Sequence, residues 1–146
     1  MALIDRLTGL IGLSARVLNF LQPLVALLAR LVVCETFLRS GWLKISSWEQ
    51  TLGLFENEYH VPVLSPHAAA VLGTAAELGL PMLLAFGIGT RAAALALFAF
   101  NIVAVISYPD LSDAGLKDHI LWGTLMLVIA IYGPGRLSID HVLGHR

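Results

Sequence analysis

One cysteine, Cys34, stands in a chain of 146 residues, which excludes an internal disulfide and any CxxC redox or zinc motif. Thiol chemistry would need a partner chain or a small molecule. Charge is also scarce: Asp, Glu, Lys and Arg make up 13% of the residues, and the net charge is -1. No run of Lys and Arg interleaved with aromatics occurs, so nucleic acid is not a partner. A nucleophile and base pair, a two-carboxylate constellation and a glycine-rich phosphate loop are all missing. GxG occurs in "GIGT" and "GPGR", but neither sits between a strand and a helix. These absences argue against classical hydrolases and nucleotide enzymes. No period of twenty to fifty residues repeats.

What the chain has is apolar surface: 58% of its residues are hydrophobic and its mean hydropathy is +0.82, outside the range of a soluble globular domain. Four apolar runs approach the length needed to cross roughly 30 Å of hydrocarbon. The expected fold is an all-α membrane protein, a four-transmembrane-helix bundle with an N-terminal amphipathic interfacial helix. Residues 1–19 form that lead-in, because Leu3, Leu7, Leu10, Ile11, Val17 and Leu18 fall on one helical face. Residues 20–146 form one membrane domain, with spans at about 21–42, 67–88, 91–108 and 113–132. Pro23 fits the first turn of span one, and "GIGTR" makes spans two and three a hairpin. The stretch from Lys44 to Pro66 is an external loop with an amphipathic part, and "YPDLSDAG" is a second loop. Gly133 and Pro134 stop span four.

Arg6, Arg16, Arg91, Arg136 and Arg146 lie on one side of this topology, and Glu49, Glu56, Glu58, Asp110, Asp113 and Asp118 on the other. By the positive-inside rule both termini face the cytoplasm. The partner implied is a lipid bilayer, and the Gly and Ala faces of spans two and three suit a homo-oligomer.

An ionised group at mid-membrane costs roughly 2.5–3.5 kcal/mol on insertion scales, so each should be paired or functional. Arg30, Glu77 and Asn101 are expected near mid-depth. Arg30, Cys34, Phe37, Gly41 and Lys44 project within roughly 40° of one direction at helical spacing, which makes a single stripe. Glu35 and Arg39 point elsewhere and suit a local pair. Ala70, Gly73, Glu77 and Pro81 share a face of span two that lets another helix approach closely. The simplest closure of charge is an Arg30–Glu77 salt bridge with Asn101 bonded to one of them. Such a bridge either fixes helix register or marks a functional site.

His119 begins span four beside Trp122, and either sits at the interface with no role or lines the bundle and exchanges a proton near neutral pH. The candidates for ligand binding or proton relay are Arg30, Glu77, Asn101, Lys44 and His119, with Cys34 and Trp122 secondary. No residue is assigned a catalytic role. Cys34 is expected to pack. No metal site is expected, since His60, His67 and His119 are loosely spaced, and no His lies at depth in a span to hold haem.

"RLVVCETFLRSGWLKI", "ELGLPMLLAFGIGTR" and "DHILWGTLMLVIAIYGPGRLSID" together resemble the DoxX family of bacterial inner-membrane proteins (DoxX/DoxD-like). The resemblance rests on Arg30, Gly41, Lys44, Glu77, Gly87, Arg91, Asn101, His119 and the Gly-x-Gly-x-x-Ser-x-Asp ending from Gly133 to Asp140, and covers nearly all of the chain after residue 20. It implies a four-helix bundle related to subunits of a thiosulfate:quinone oxidoreductase, and to a membrane oxidoreductase complex that handles thiol and oxidative stress. The long lead-in and the missing second cysteine depart from that pattern. The implied function is a redox-associated membrane subunit, with other membrane or redox proteins as partners and a quinone or similar lipophilic ligand in the bundle. A non-catalytic assembly or scaffold subunit, or a small transporter, are the alternatives.

Overall fold

The computed structural model describes residues 2–145, with side-chain surroundings from residue 7 onward. Six helices follow one another: α1 (Ala2–Ser46), α2 (Trp48–Asn57), α3 (Pro66–Phe86), α4 (Thr90–Ser107), α5 (Asp113–Tyr132) and α6 (Ile139–Val142). No strand occurs among the described residues. Four of the helices, α1, α3, α4 and α5, are long and apolar enough to cross a membrane. They form an all-α four-span bundle in which α1 packs on α3, α3 on α4, α4 on α5 and, over a smaller area, α5 on α1.

Polar capping residues mark where α3 and α5 start. Ser65 and Ser112 accept hydrogen bonds from the backbone N–H groups of Ala68 and Gly115, satisfying donors that the first turns of α3 and α5 leave free. Pro66 follows Ser65 at the first helical position, where its missing N–H costs nothing. The Lys44 to Pro66 loop contains α2, whose Phe55 is buried against Ala69 and Ala70 of α3. α2 thus roofs one end of the bundle.

α1 differs most from expectation. It is one helix of 45 residues, about 68 Å at 1.5 Å per residue, against roughly 30 Å of hydrocarbon. Lead-in and first span are continuous, and Pro23 lies inside the helix rather than in its first turn. Nearly every residue from 7 to 25 is exposed, including Leu10, Ile11, Leu18 and Phe20, and full burial begins at Arg30. The helix enters the bundle later than its apolar run begins.

The core is made by Val33, Phe37, Leu84, Ala94, Leu97 and Met126 with their neighbours, while large apolar side chains cover the outside, as lipid demands. Small residues set the helix spacing. At Gly41 an added Cβ would lie 2.9 Å from the Leu78 side chain and 3.0 Å from Glu77 Cβ. The bare backbone there lets α1 and α3 touch, and it fixes their antiparallel register.

Candidate functional site

That register decides which charges meet. With Gly41 against Glu77 and Leu78, Arg30 lies eleven residues back along α1, about 16 Å away. This brings it level with Leu84 and Gly87 near the far end of α3, not with Glu77. The expected Arg30–Glu77 bridge is therefore not formed, and the polar residues separate into two clusters.

The first cluster is a clasp. Arg30 is 1% exposed, and its guanidinium donates to the carbonyls of Leu84, at 3.4 Å, and of Leu137. Leu137 belongs to the segment after α5, so one side chain ties α1 to α3 and to the C-terminal region. Asp140 completes the tie. Its carboxylate accepts from the N–H of Gly89 and from both the N–H and hydroxyl of Thr90, each at 2.8 Å, and so neutralises the positive end of α4. Its own N–H donates to Gly87 O at 2.8 Å. Gly87 has φ of 70°, a left-handed conformation open to glycine, and a Cβ there would collide with Arg30 Nη1 and the Ser138 side chain.

Burial pushes the Asp140 carboxyl up, but the hydrogen bonds from Thr90 and Gly89 outweigh it and hold the group below the usual carboxylate range. A carboxyl depressed in the folded state stabilises above its unfolded value of about 3.9, and that contribution fades as pH falls through the folded value. Asp140→Asn should therefore flatten the acid side of the stability profile, measured as melting temperature in detergent from about pH 3 to pH 6. An unchanged difference between wild type and variant across that range would contradict this.

The second cluster lies at the roofed end. Lys44 Nζ contacts Glu77 at 2.8 Å to Oε1 and 2.7 Å to Oε2, and it donates to Ser40 Oγ at 2.9 Å. Ser40 in turn donates to Glu77 Oε1 at 3.2 Å. Asn101 bonds to neither charge. It forms a reciprocal pair with His119: Asn101 Nδ2 donates to the His119 carbonyl at 3.0 Å, and His119 Nδ1 lies 2.7 Å from Asn101 Oδ1. The His119 ring meets Trp122 edge to face at 5.0 Å. Glu35 and Arg39 are both exposed and form no ion pair with each other.

These groups surround a cavity of about 520 Å³ between α1, α3, α4 and α5, below α2. Most of its wall is apolar, with Phe37, Phe55 and Phe100 among the lining residues. Lys44, Glu77, His119 and Trp122 line it; Asn101 stands behind His119, and Arg30 and Cys34 lie outside it. Cys34 is buried on the stripe that the sequence defines. Ser40, Ser107, Tyr59 and Tyr108 also line the cavity and go unnoticed in the sequence. Ser40 is one helical turn before Lys44 and could have been found by that spacing. Ser107 closes α4, and the two tyrosines come from loops, where no periodicity points inward. Ser107 is 1% exposed and its hydroxyl has no hydrogen-bond partner. Tyr59 stacks on Tyr108 at 5.0 Å. Burial, then Tyr108, Glu77 and Glu58, raise the Tyr59 phenol above its ordinary value, so it stays protonated.

Comparison with curated proteins and with solved structures finds no match. The family model for DoxX matches residues 25–109, a stretch that holds Arg30, Gly41, Lys44, Glu77, Gly87 and Asn101, while His119 and Asp140 lie beyond it. Since that match spans more than half of the 146 residues, this four-span membrane protein belongs to the DoxX family.

Proposed function

We propose that the chain is a redox-associated membrane subunit that binds a quinone-type lipid in the cavity beneath α2. The observation that carries this reading is the cavity itself: about 520 Å³ of mostly apolar wall, with Lys44, Glu77, His119 and the unpartnered Ser107 hydroxyl converging on it. Ligand pockets have this composition, an apolar enclosure with a few placed polar groups. Leu72 and Val103, which also line the cavity, are 56% and 37% exposed on the outer surface. A lipophilic ligand can therefore reach the space from the hydrocarbon between α3 and α4. Glu77 and His119 are the groups that can exchange protons with a ring ligand. Arg30, level with the far end of the bundle, has no part in this site.

The test uses Trp122 as reporter. In a Trp42→Phe/Trp48→Phe background Trp122 is the one remaining tryptophan of the three, and a short-chain quinone should quench it saturably. Ser107→Leu, which fills the cavity, should weaken binding about tenfold or more, the equivalent of about 1.4 kcal/mol. Quenching that never saturates, or that is indifferent to Ser107→Leu, would sink the reading.

A scaffold role has one observation in its favour. Both ionic clusters close on themselves, and Lys44 spends all its donors inside the protein. On that reading Lys44→Glu/Glu77→Lys restores the phenotype of either single variant, whereas a ligand site stays broken in the folded double variant.

The membrane placement is also our reading: an inner-membrane protein with both termini cytoplasmic. Cys34 is buried, so a cysteine introduced at Gly9 or His145 gives a clean signal. Both positions should react with impermeant maleimide only after the cytoplasmic face is opened. Labelling of either in intact cells reverses the topology.

A further inference from the structure

Two acceptors on the polar wall of the cavity, Glu77 and His119, keep lone pairs open, while the donors of Lys44 and Ser40 are spent inside the protein. An ammonium has three N–H donors, and those of Lys44 go to Ser40 Oγ, Glu77 Oε1 and Glu77 Oε2. The single hydroxyl proton of Ser40 goes to Glu77 Oε1. Oε1 therefore accepts twice within the protein and Oε2 once, which leaves Oε2 the freer acceptor for an incoming group. On α5 the same bookkeeping holds. Asn101 Nδ2 donates to the His119 carbonyl, so Oδ1 is the atom facing the ring and His119 Nδ1 carries the proton. In the neutral imidazole Nε2 is then a lone pair without a proton. The hydroxyls of Ser107, Tyr59 and Tyr108 donate or accept as the ligand requires, and the Trp122 indole N–H, a donor only, serves an acceptor on either form of the ring.

We propose that the cavity selects a hydroxylated aromatic head group, of the quinol or alkylphenol kind, over the carbonyl form of the same ring. This rests on the ligand reading above. Hydroxyl protons of such a ring match Glu77 Oε2 and His119 Nε2. A ring carrying only carbonyls can accept from Trp122 and from the hydroxyls of Ser107, Tyr59 and Tyr108, but it brings lone pairs to lone pairs at Glu77 Oε2 and His119 Nε2 and leaves those two acceptors unmatched, which a polar pocket punishes.

The experiment is calorimetric titration of the full chain in nanodiscs with three probes of one shape: a short-chain alkyl quinone, its quinol held reduced under anaerobic conditions, and the quinol dimethyl ether. The quinol should bind about tenfold or more tighter than the quinone. The ether, which keeps the ring and loses the donors, should bind no better than the quinone. In Glu77→Gln the side-chain amide gains a donor for a carbonyl, and the quinol preference should shrink to about threefold or less. Equal affinities for quinol and quinone in the wild type, or a tighter quinone or ether, would overturn the selectivity and leave the ligand site standing. Binding of none of the three would overturn the site together with the selectivity.

Discussion

Lys44→Met should lower the stability of the bundle by about 3–5 kcal/mol, because it strands the Glu77 carboxylate without its counter-ion in a buried position. The two partners are not equivalent. The Glu77 side chain is 8% exposed and that of Lys44 is 17% exposed, and Lys44 lies near the end of α1, where its long stem can carry the ammonium outward. Glu77→Gln should therefore cost much less than Lys44→Met, with the ammonium relaxing toward the interface. The double variant Lys44→Met/Glu77→Met removes both charges and should regain most of the loss, since a buried ion pair exchanged for apolar groups is often near neutral. Melting followed by tryptophan fluorescence in one detergent measures all three. Equal losses in the two single variants would mean that the pair is solvated, and the enclosed cavity would then be in doubt.

Arg30→Met should cost about 3 kcal/mol, since hydrogen bonds to a charged group are worth roughly 1.5–3 kcal/mol each and Arg30 makes two, to Leu84 and Leu137. Arg30→Lys should recover little of it, because an ammonium on a thinner stem cannot fork to carbonyls on two separate segments. Gly87 adds to the constraint: the guanidinium lies where a Cβ at Gly87 would be, so α1, the end of α3 and the C-terminal segment are locked face to face. Arg30→Met and Asp140→Asn should be non-additive, as variants that loosen one shared contact are. The signature that separates clasp from cavity is ligand affinity. Below its melting temperature Arg30→Lys should bind ligand like wild type, whereas Glu77→Gln should keep most of its stability and alter binding. A loss of affinity in folded Arg30→Lys would return Arg30 to the binding site.

The difference between the two clusters was only half legible in the sequence. The buried stripe Arg30, Cys34, Phe37, Gly41 and Lys44 follows from helical spacing, and so do the four spans. The partner of each charge does not follow. It depends on the register of α1 against α3, which Gly41 sets by contact with Leu78, and on where α1 enters the bundle. Hydropathy begins the first span near Leu21, which puts Arg30 at mid-depth. Packing begins later, because residues 7–25, though largely apolar, are almost all exposed, and this moves Arg30 to the bundle's end. Asp140 was visible as part of an ending motif, but its target, the N-terminus of α4, lies about fifty residues earlier and only the folded chain brings it near. Tyr59 and Tyr108 had no signal at all, because loop residues carry no periodicity.

The polar residues of the chain thus gather at opposite ends of one bundle. Arg30, Gly87 and Asp140 hold the far end shut with backbone-directed hydrogen bonds. Lys44, Glu77 and His119 line the cavity at the roofed end, with Ser40 and Asn101 bonded to them.

The most direct measurement is native mass spectrometry of the protein extracted from its own membrane into nanodiscs without added ligand. The account predicts a bound species of quinone-type mass on the wild type and on Arg30→Lys, and its loss from Ser107→Leu. Wild-type protein that carries ordinary phospholipid alone, or a quinone-type species that persists in Ser107→Leu, would contradict it.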